Sequence, residues 1–260
     1  KIIPTTWSAG GAGIFGNIGE GINYRLYAVR SLQSIRPLGF SSGSGNGNGG
    51  QSGQFTGSEG IRDGRLQENK AIAEDFAATG RLEFTQLFPG LQLGFSFFTG
   101  ETTQNIIDEG GLVLLLEADM KYRWQWFEMN ASIANIDVED AAAMNAHCTA
   151  MNAITAGTCS ADVPDNIFGW NVQAGVHLPQ LIGMDTTHDF IPFVLYEKIR
   201  PQDSMPSGTA PTHSNNFDVV TVGAAYYPIP EVALKTDFQH FMSRDGKSHD
   251  QFNMGLAFMY

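Results

Sequence analysis

The chain has 260 residues, of which 16% are charged and 11% aromatic, and its formal net charge is −12. It is too apolar and aromatic for a disordered protein, and an acidic chain without a basic stripe is not expected to bind nucleic acid. The longest uninterrupted apolar run, Leu112–Leu116, is far shorter than the ~20 residues that a transmembrane helix needs, so a helical membrane protein is excluded as well.

Apolar residues recur with period two along most of the chain, which is typical of β-strands with two different faces. In 76–87, for example, Phe76 and Leu82 alternate with Arg81 and Glu83. The pattern predicts eleven strands in chain order, near 6–16, 21–31, 75–87, 90–100, 111–122, 125–137, 166–178, 188–199, 216–227, 231–243 and 249–260. In 190–199 both faces are apolar, so the pattern does not assign a face to its residues.

The connections between these strands alternate in length. Short ones are predicted near 17–20, 88–89, 123–124, 179–187 and 228–230, and longer ones at 32–74, 101–110, 138–165, 200–215 and 244–248. Short turns on one rim and long loops on the other are typical of an outer-membrane barrel. We therefore predict an all-β fold, a transmembrane antiparallel β-barrel forming one domain over 1–260.

A soluble β-sandwich alternates in the same way, so the period alone does not decide between the two architectures. Charges in the middle of strands favour a water-filled lumen over a sandwich. Aromatic residues on the apolar face near predicted strand ends favour the girdles at a membrane interface; they are Tyr122, Trp124, Trp126, Phe127, Tyr226 and Tyr227. The polar faces supply the candidate pore-lining residues Arg25, Arg81, Glu83, Glu117, Asp119, Lys121, Glu128, Lys235 and Asp237.

The last eight residues, 253–260, resemble the C-terminal assembly signal of bacterial outer-membrane proteins. Gly255, Phe258 and Tyr260 carry the resemblance, which implies recognition by the barrel assembly machinery and a strand that ends on the periplasmic side. The first strand then starts on the external side. Single-chain bacterial barrels have even strand numbers, so eleven strands are expected to be a C-terminal portion of a longer barrel, unless the weak strand 6–16 is miscounted.

Several segments together resemble the phosphate-selective-porin-type (porin O/P-like) group of bacterial porins. They are Ile3–Trp7 with Gly13–Gly16, Gly60–Arg65 with Ala73–Asp75, Ile191–Glu197, and Ala225–Pro228 with Val232–Lys235. The resemblance implies a barrel of about 16–18 strands, commonly trimeric, embedded in outer-membrane lipid. This chain departs from that group in two respects. Its polar faces mix acidic and basic residues, and Leu195 occupies a position where relatives often carry Arg. An anion channel needs a ladder of Arg and Lys, so phosphate selectivity is not supported.

Two long loops carry the remaining candidates. Loop 32–74 opens with a Gly/Ser/Asn-rich stretch, and its later half carries Arg62, Arg65, Glu68 and Lys70. These residues form either a constriction folded into the lumen or part of a solvated external loop. Loop 138–165 has an Ala/Met-rich run at 141–154, which favours a short external helix. Cys148 and Cys159 are either bridged, as in an oxidising compartment, or two free thiols.

No enzyme site is predicted. His147 lies beside Cys148, but no second group of ligands has metal-binding spacing, and His177 falls among wall residues. We predict no cofactor and no metal. The leading hypothesis is an outer-membrane porin, a passive diffusion channel for small hydrophilic solutes or ions. The alternative is a structural or partner-binding barrel with a plugged lumen.

Overall fold

The computed structural model describes residues 7–37, 53–66, 73–157 and 159–259. Within them, a single antiparallel sheet contains eleven strands in the order of the sequence, so each strand pairs with its neighbours along the chain. The strands are β1 (Gly11–Ile18), β2 (Ile22–Arg30), β3 (Phe76–Phe84), β4 (Leu91–Gly100), β5 (Val113–Trp124), β6 (Phe127–Val138), β7 (Asn166–Val176), β8 (Asp189–Ser204), β9 (Phe217–Ile229), β10 (Val232–Ser243) and β11 (Ser248–Phe258).

The prediction of eleven antiparallel strands is confirmed, with corrections to the bounds of two of them. The strand predicted at 188–199 continues to Ser204, into the predicted loop 200–215, because its last residues still pair with β7. The other correction concerns the first strand. The predicted strand 6–16 begins at Gly11 and ends at Ile18. The reason is the length of its partner, because β2 ends at Arg30 and the ladder therefore starts at the pair Gly11–Val29. Residues 7–10 have no partner strand, although the Arg30 N–H still donates a hydrogen bond to the Gly10 carbonyl, at 3.0 Å.

The connections lie alternately at two ends of the sheet, as predicted, but their lengths do not alternate strictly. The connection predicted to be short at 179–187 spans 177–188 and has twelve residues, as many as 101–112 and 205–216, whereas 244–247 has four. The turn side carries the connections 19–21, 85–90, 125–126, 177–188 and 230–231, and the loop side carries 31–75, 101–112, 139–165, 205–216 and 244–247. Some of the turns require glycine: Gly90 has φ +79°, and a Cβ there would lie 1.9 Å from the Arg123 carbonyl oxygen. This turn therefore packs backbone against backbone, which a larger residue would prevent.

The two faces of the sheet differ sharply in composition. The apolar face exposes large side chains along nearly every strand, among them Leu82, Phe95, Leu116, Ile133, Val222, Phe238 and Leu256. The opposite, polar face carries most charged residues of the strands, whereas Asp137, Lys198, Arg200, Asp218 and Asp250 have the register of the apolar face, near its loop-side end. Soluble monomers rarely expose an apolar surface of this extent, and the pattern is typical of a barrel wall that faces lipid.

The fully buried core lies on the polar face, at the loop side of β3–β7. Its sheet residues are Ala77, Phe98, Val113, Leu115, Ile136, Val138 and Ile167. Apolar side chains of the loop connections cover them: Leu32, Ile35, Phe55, Ile61, Ala141, Met144 and Val163. This loop-side core fixes the described parts of loops 31–75 and 139–165 on the polar face of the sheet.

The connection between β6 and β7 contains the helix α1 (Ala141–Ile154), within the predicted run 141–154. Its buried residues recur at helical spacing, since Ala141, Met144, Cys148 and Met151 lie three or four positions apart on one face. Asn145 connects the helix to the returning chain, because its side chain both donates to and accepts from the backbone of Val163. In the described residues, no helix has the length and hydropathy needed to cross a membrane.

Candidate functional site

The sheet register places all nine candidate pore-lining residues on the polar face. Arg25 pairs with Arg81, which pairs with Ser96, which pairs with Glu117. The neighbouring row contains Glu83 and Asp119, and further rows contain Lys121, Glu128, Asp237 and Lys235. Because side chains alternate strictly along a strand, one shared row fixes the face of every other residue on the paired strands.

The polar face carries a charge cluster centred on Arg81. Its Nε lies 2.8 Å from Glu83 Oε1, and its Nη1 lies 2.7 Å from Asp119 Oδ2 and 3.4 Å from Glu117 Oε2. Nη1 also donates to Ser96 Oγ, at 2.8 Å. Three carboxylates thus surround one guanidinium, and the carboxylate side chains are only 12–15% exposed.

Two further residues complete this cluster. Arg25 lies 3.4 Å from Glu83 Oε2, but its side chain is 52% exposed, so its charge is largely screened by water. Gly94 leaves the space that the Arg81 guanidinium occupies, because a Cβ there would lie 2.2 Å from both Arg81 Nη2 and Asp119 Oδ2. The contact between Arg81 and Asp119 therefore depends on the absence of a side chain at position 94.

The candidates on β10 have different environments. The Lys235 ammonium lies 4.8 Å from the centre of the Phe193 ring, a cation–π contact. Asp237 is buried at 9% exposure and accepts a hydrogen bond from Asn253 Nδ2 at 2.9 Å. Asp237 is therefore held against the wall, whereas Lys235 stays exposed.

The structure assigns faces that the sequence pattern left open or placed wrongly. On β8 the residues Ile191, Phe193, Leu195 and Glu197 share the polar face, because Glu197 pairs with Asn171 of β7. Tyr227 was predicted among the aromatic residues of the apolar face; this is wrong, since it pairs with Asp189 on the polar face. The register of a strand that is apolar on both faces is set by its neighbours, and not by its own alternation.

The described part of the predicted constriction loop lies on the polar face. Phe55 and Ile61 anchor it in the loop-side core. Arg62 is exposed and forms an ion pair with Glu59 at 2.7 Å, and this hydrogen bond raises the pKa of the Arg62 guanidinium. In the described part of this run, a short 3-10 turn spans Arg62–Gly64, and Arg65 after it is partly buried. Glu68 and Lys70 lie outside the described residues.

Cys148 and Cys159 are joined by a disulfide in the structure, with their Cα atoms 5.8 Å apart. The bridge connects α1 to the chain that returns to β7. Asn152 supports the same connection, since its Nδ2 donates to the Cys159 carbonyl at 3.0 Å and its Oδ1 accepts from the Cys159 N–H at 3.2 Å.

Replacing both cysteines with alanine is expected to lower the stability of the 139–165 segment. The bridge closes a sequence separation of eleven residues, and the entropy of closing a loop of this size corresponds to about 3 kcal/mol. Hydrogen exchange of the α1 amides measures the effect and should be faster in the double variant. The wild type with its disulfide reduced is the matched control and should exchange at the same raised rate. Unchanged exchange in both would show that the bridge contributes nothing to local stability.

The residues that were considered for enzyme chemistry have structural partners. His147 Nε2 lies 2.8 Å from the Arg36 carbonyl oxygen, and its neighbour Cys148 is bonded to Cys159. Among the described residues, no group of three or more His, Cys, Asp or Glu side chains is arranged to hold a metal ion.

Of the residues resembling an assembly signal, Gly255 lies on the polar face and Phe258 on the apolar face. Tyr260 lies outside the described residues.

Sequence reasoning missed several polar residues that share the wall with the candidates. They are Asn130, Ser132, Asn171, Gln173 and Glu197. Asn130 with Ser132, and Asn171 with Gln173, alternate with apolar neighbours, so the period-two pattern carried this signal. Asp189 was also missed. It contacts the imidazole of His177, which lies twelve residues before it in the chain, and the same imidazole contacts Glu128, 49 residues before His177.

Comparisons with known proteins identify bacterial porins as structural neighbours. OmpF of Salmonella typhi, in a complex with daunomycin, superposes with a TM-score of 0.51 at 12% identity, over 95% of this chain and 61% of that one. The outer-membrane channel DcaP of Acinetobacter baumannii superposes with a TM-score of 0.50 at 9% identity, over 94% and 60%. At these identities the likeness shows the fold.

Among the curated proteins, an uncharacterized protein of Aquifex aeolicus (strain VF5) is 26% identical over 260 residues, covering all of this chain and 55% of that protein. The chain thus spans about half the length of the curated relative that it matches. No protein-family model matches the chain.

Proposed function

We propose that this chain forms part of the wall of an outer-membrane porin, through which small hydrophilic solutes or ions diffuse passively. The observation that carries the proposal is the division of the sheet into two faces. One face exposes large apolar residues on nearly every strand, and the other carries the Arg81 cluster, Lys121, Lys235 and Asp237. A wall between hydrocarbon and a water-filled lumen requires this division.

The two edge strands of the sheet indicate what surrounds the wall. Among the described residues, β1 and β11 each pair on one side only, and an unpaired strand edge in hydrocarbon costs several kcal/mol per backbone group. Further strands that pair with these two edges would close the barrel. Outer-membrane lipid around the apolar face, the barrel assembly machinery and a trimeric assembly are the partners that this proposal includes.

A closer relation to the phosphate-selective-porin-type group is part of the proposal, and it is supported by the motifs quoted above. Phosphate selectivity is not part of it. Arg25 and Arg81 face Glu83, Glu117 and Asp119, so acidic groups outnumber basic ones in this cluster. A phosphate channel needs the opposite balance.

The second candidate function is a partner-binding barrel with a plugged lumen. The loop-side core favours it, because Phe55, Ile61 and Met144 cover the polar face of β3–β7 instead of leaving it open to water. In this alternative, the loops would bind a partner and the lumen would carry no current.

Single-channel recording in planar bilayers separates the two functions. The protein is purified in its native, folded form and studied in a KCl gradient. A porin gives steady conductance steps, and the sign of the reversal potential reports whether cations or anions are preferred. A folded protein that gives no current would contradict the diffusion channel and support the plugged barrel.

The Arg81→Gln variant is expected to shift the reversal potential toward cation preference. Removing the guanidinium leaves three neighbouring carboxylates without their shared counter-charge, and we expect the ratio of K⁺ to Cl⁻ permeability to rise by about twofold. Lys247→Gln is the matched control, because it removes one positive charge from a side chain that is 85% exposed in the connection 244–247, outside the strands of the wall. An equal shift in both variants, or no shift in Arg81→Gln, would contradict a lining role for the cluster.

A further inference from the structure

The turn side has one connection that differs from the others. Segment 177–188 has twelve residues and contains the short helix α2 (Leu178–Leu181), whereas its neighbours on this side, such as 125–126 and 230–231, are tight turns. A strand-to-strand connection needs only a few residues. The extra length of this segment is therefore available for another role.

His177 fixes the start of the segment to the polar face of the sheet. Its N–H donates to the Trp126 carbonyl at 2.7 Å. Its ring Nδ1 lies 2.5 Å from Asp189 Oδ2, and its Nε2 lies 3.3 Å from Glu128 Oε2. The imidazole is only 3% exposed, so these contacts to β6 and β8 are shielded from water and hold the segment in place.

The segment and the sheet line an open, partly polar cleft of about 470 Å³. Arg123, Glu128, Asp189 and Tyr227 line it from the strands, and all four lie on the polar face. From the segment, it is lined by Pro179, Gln180, Met184, Thr186, Thr187 and His188. The segment therefore lies over the same face as the Arg81 cluster, at the opposite end from the loop-side core.

We propose that segment 177–188 narrows the turn-side end of the pore, and that Arg123, Glu128 and Asp189 are the charged groups that solutes pass there. The inference rests on the proposed porin function and adds to it a second narrow point, separate from the loop-side core. The segment presents exposed hydroxyls and side chains to this space, with Gln180 and Thr187 both exposed. The side chains of Glu128 and Asp189 remain 26–27% exposed beside them, although Asp189 Oδ1 itself is buried.

Thiol labelling of Thr187→Cys in the full protein tests this position. The native cysteines are bonded to each other, so the introduced thiol is the reactive one. Adding a bulky trimethylammonium-ethyl methanethiosulfonate reagent to a conducting channel should lower its conductance by about twofold, since the label occupies part of the cross-section. Comparing the same channel before and after labelling removes any effect of the substitution on folding.

Glu20→Cys is the matched control, because Glu20 is exposed in the tight turn 19–21 on the same side of the sheet. Its labelling should leave the conductance unchanged. If mass spectrometry shows complete labelling at position 187 and the conductance is unchanged, the inference is wrong while the porin function stands. If the unlabelled wild type carries no current, the porin function itself fails, and the inference falls with it.

Discussion

Replacing Phe238 with arginine is expected to destabilise the folded sheet in a bilayer by about 2–4 kcal/mol. Phe238 lies in the middle of β10 on the apolar face and is 48% exposed. If this face meets hydrocarbon, a guanidinium at mid-strand loses its hydration and gains no partner. Unfolding in urea from phospholipid vesicles, followed by tryptophan fluorescence, measures the change in the free energy of unfolding.

Gln239→Arg is the control for this experiment, because Gln239 is the next residue along β10 and lies on the polar face opposite Thr221 and Gln251. It introduces the same side chain at nearly the same depth, but toward the lumen. We expect little change in stability from it. Equal destabilisation by the two substitutions would contradict the assignment of the apolar face to lipid.

The Phe258→Asp variant is expected to be absent from the outer membrane as a folded protein. Phe258 is 69% exposed on the apolar face of the last strand and pairs with Val232 of β10. An aspartate at this position places a charge at the lipid-facing side of a strand that resembles an assembly signal. Both the insertion of the strand and its recognition should then fail.

The measurement for Phe258→Asp is the amount of heat-modifiable, folded protein in isolated outer membranes. Ala257→Asp serves as the control, since Ala257 is the adjacent residue of β11 and lies on the polar face opposite Ala233. It should assemble close to normally. A normal folded yield of Phe258→Asp would count against both the resemblance of 253–260 to an assembly signal and the membrane placement of the apolar face.

The alternation of the sequence was sufficient to predict the sheet and the face of the nine candidate residues, but not the face of Lys198, Arg200 and Asp218, whose register places them on the apolar face near its loop-side end. Strands such as β5 place Leu114 and Leu116 on one side and Glu117 and Asp119 on the other. In a strand the side-chain period is two, so the pattern itself encodes the face. This is why the nine candidate pore-lining residues share one face of the sheet.

The remaining features depend on contacts between segments that are distant along the chain. Phe55 and Ile61 are isolated apolar residues in a polar stretch, and nothing near them in sequence indicates that they pack against β3–β7. His177 follows β7 as an ordinary polar residue, and its role emerges only when the register brings Glu128 beside it. The face of β8 was likewise undetermined until Glu197 was paired with Asn171.

The order of the strands also determines how the protein can be divided. All ten pairings join strands that are consecutive in the sequence, so a break in the two-residue turn 125–126 would give fragments of five and six intact strands. The twelve register pairs between β5 and β6 would reunite them. Met144 and Ile167 from one fragment would also pack with Leu32 and Phe55 from the other. The molecule is thus suited to reconstitution from two separately synthesised fragments, which the apolar contacts of the loop-side core would hold together.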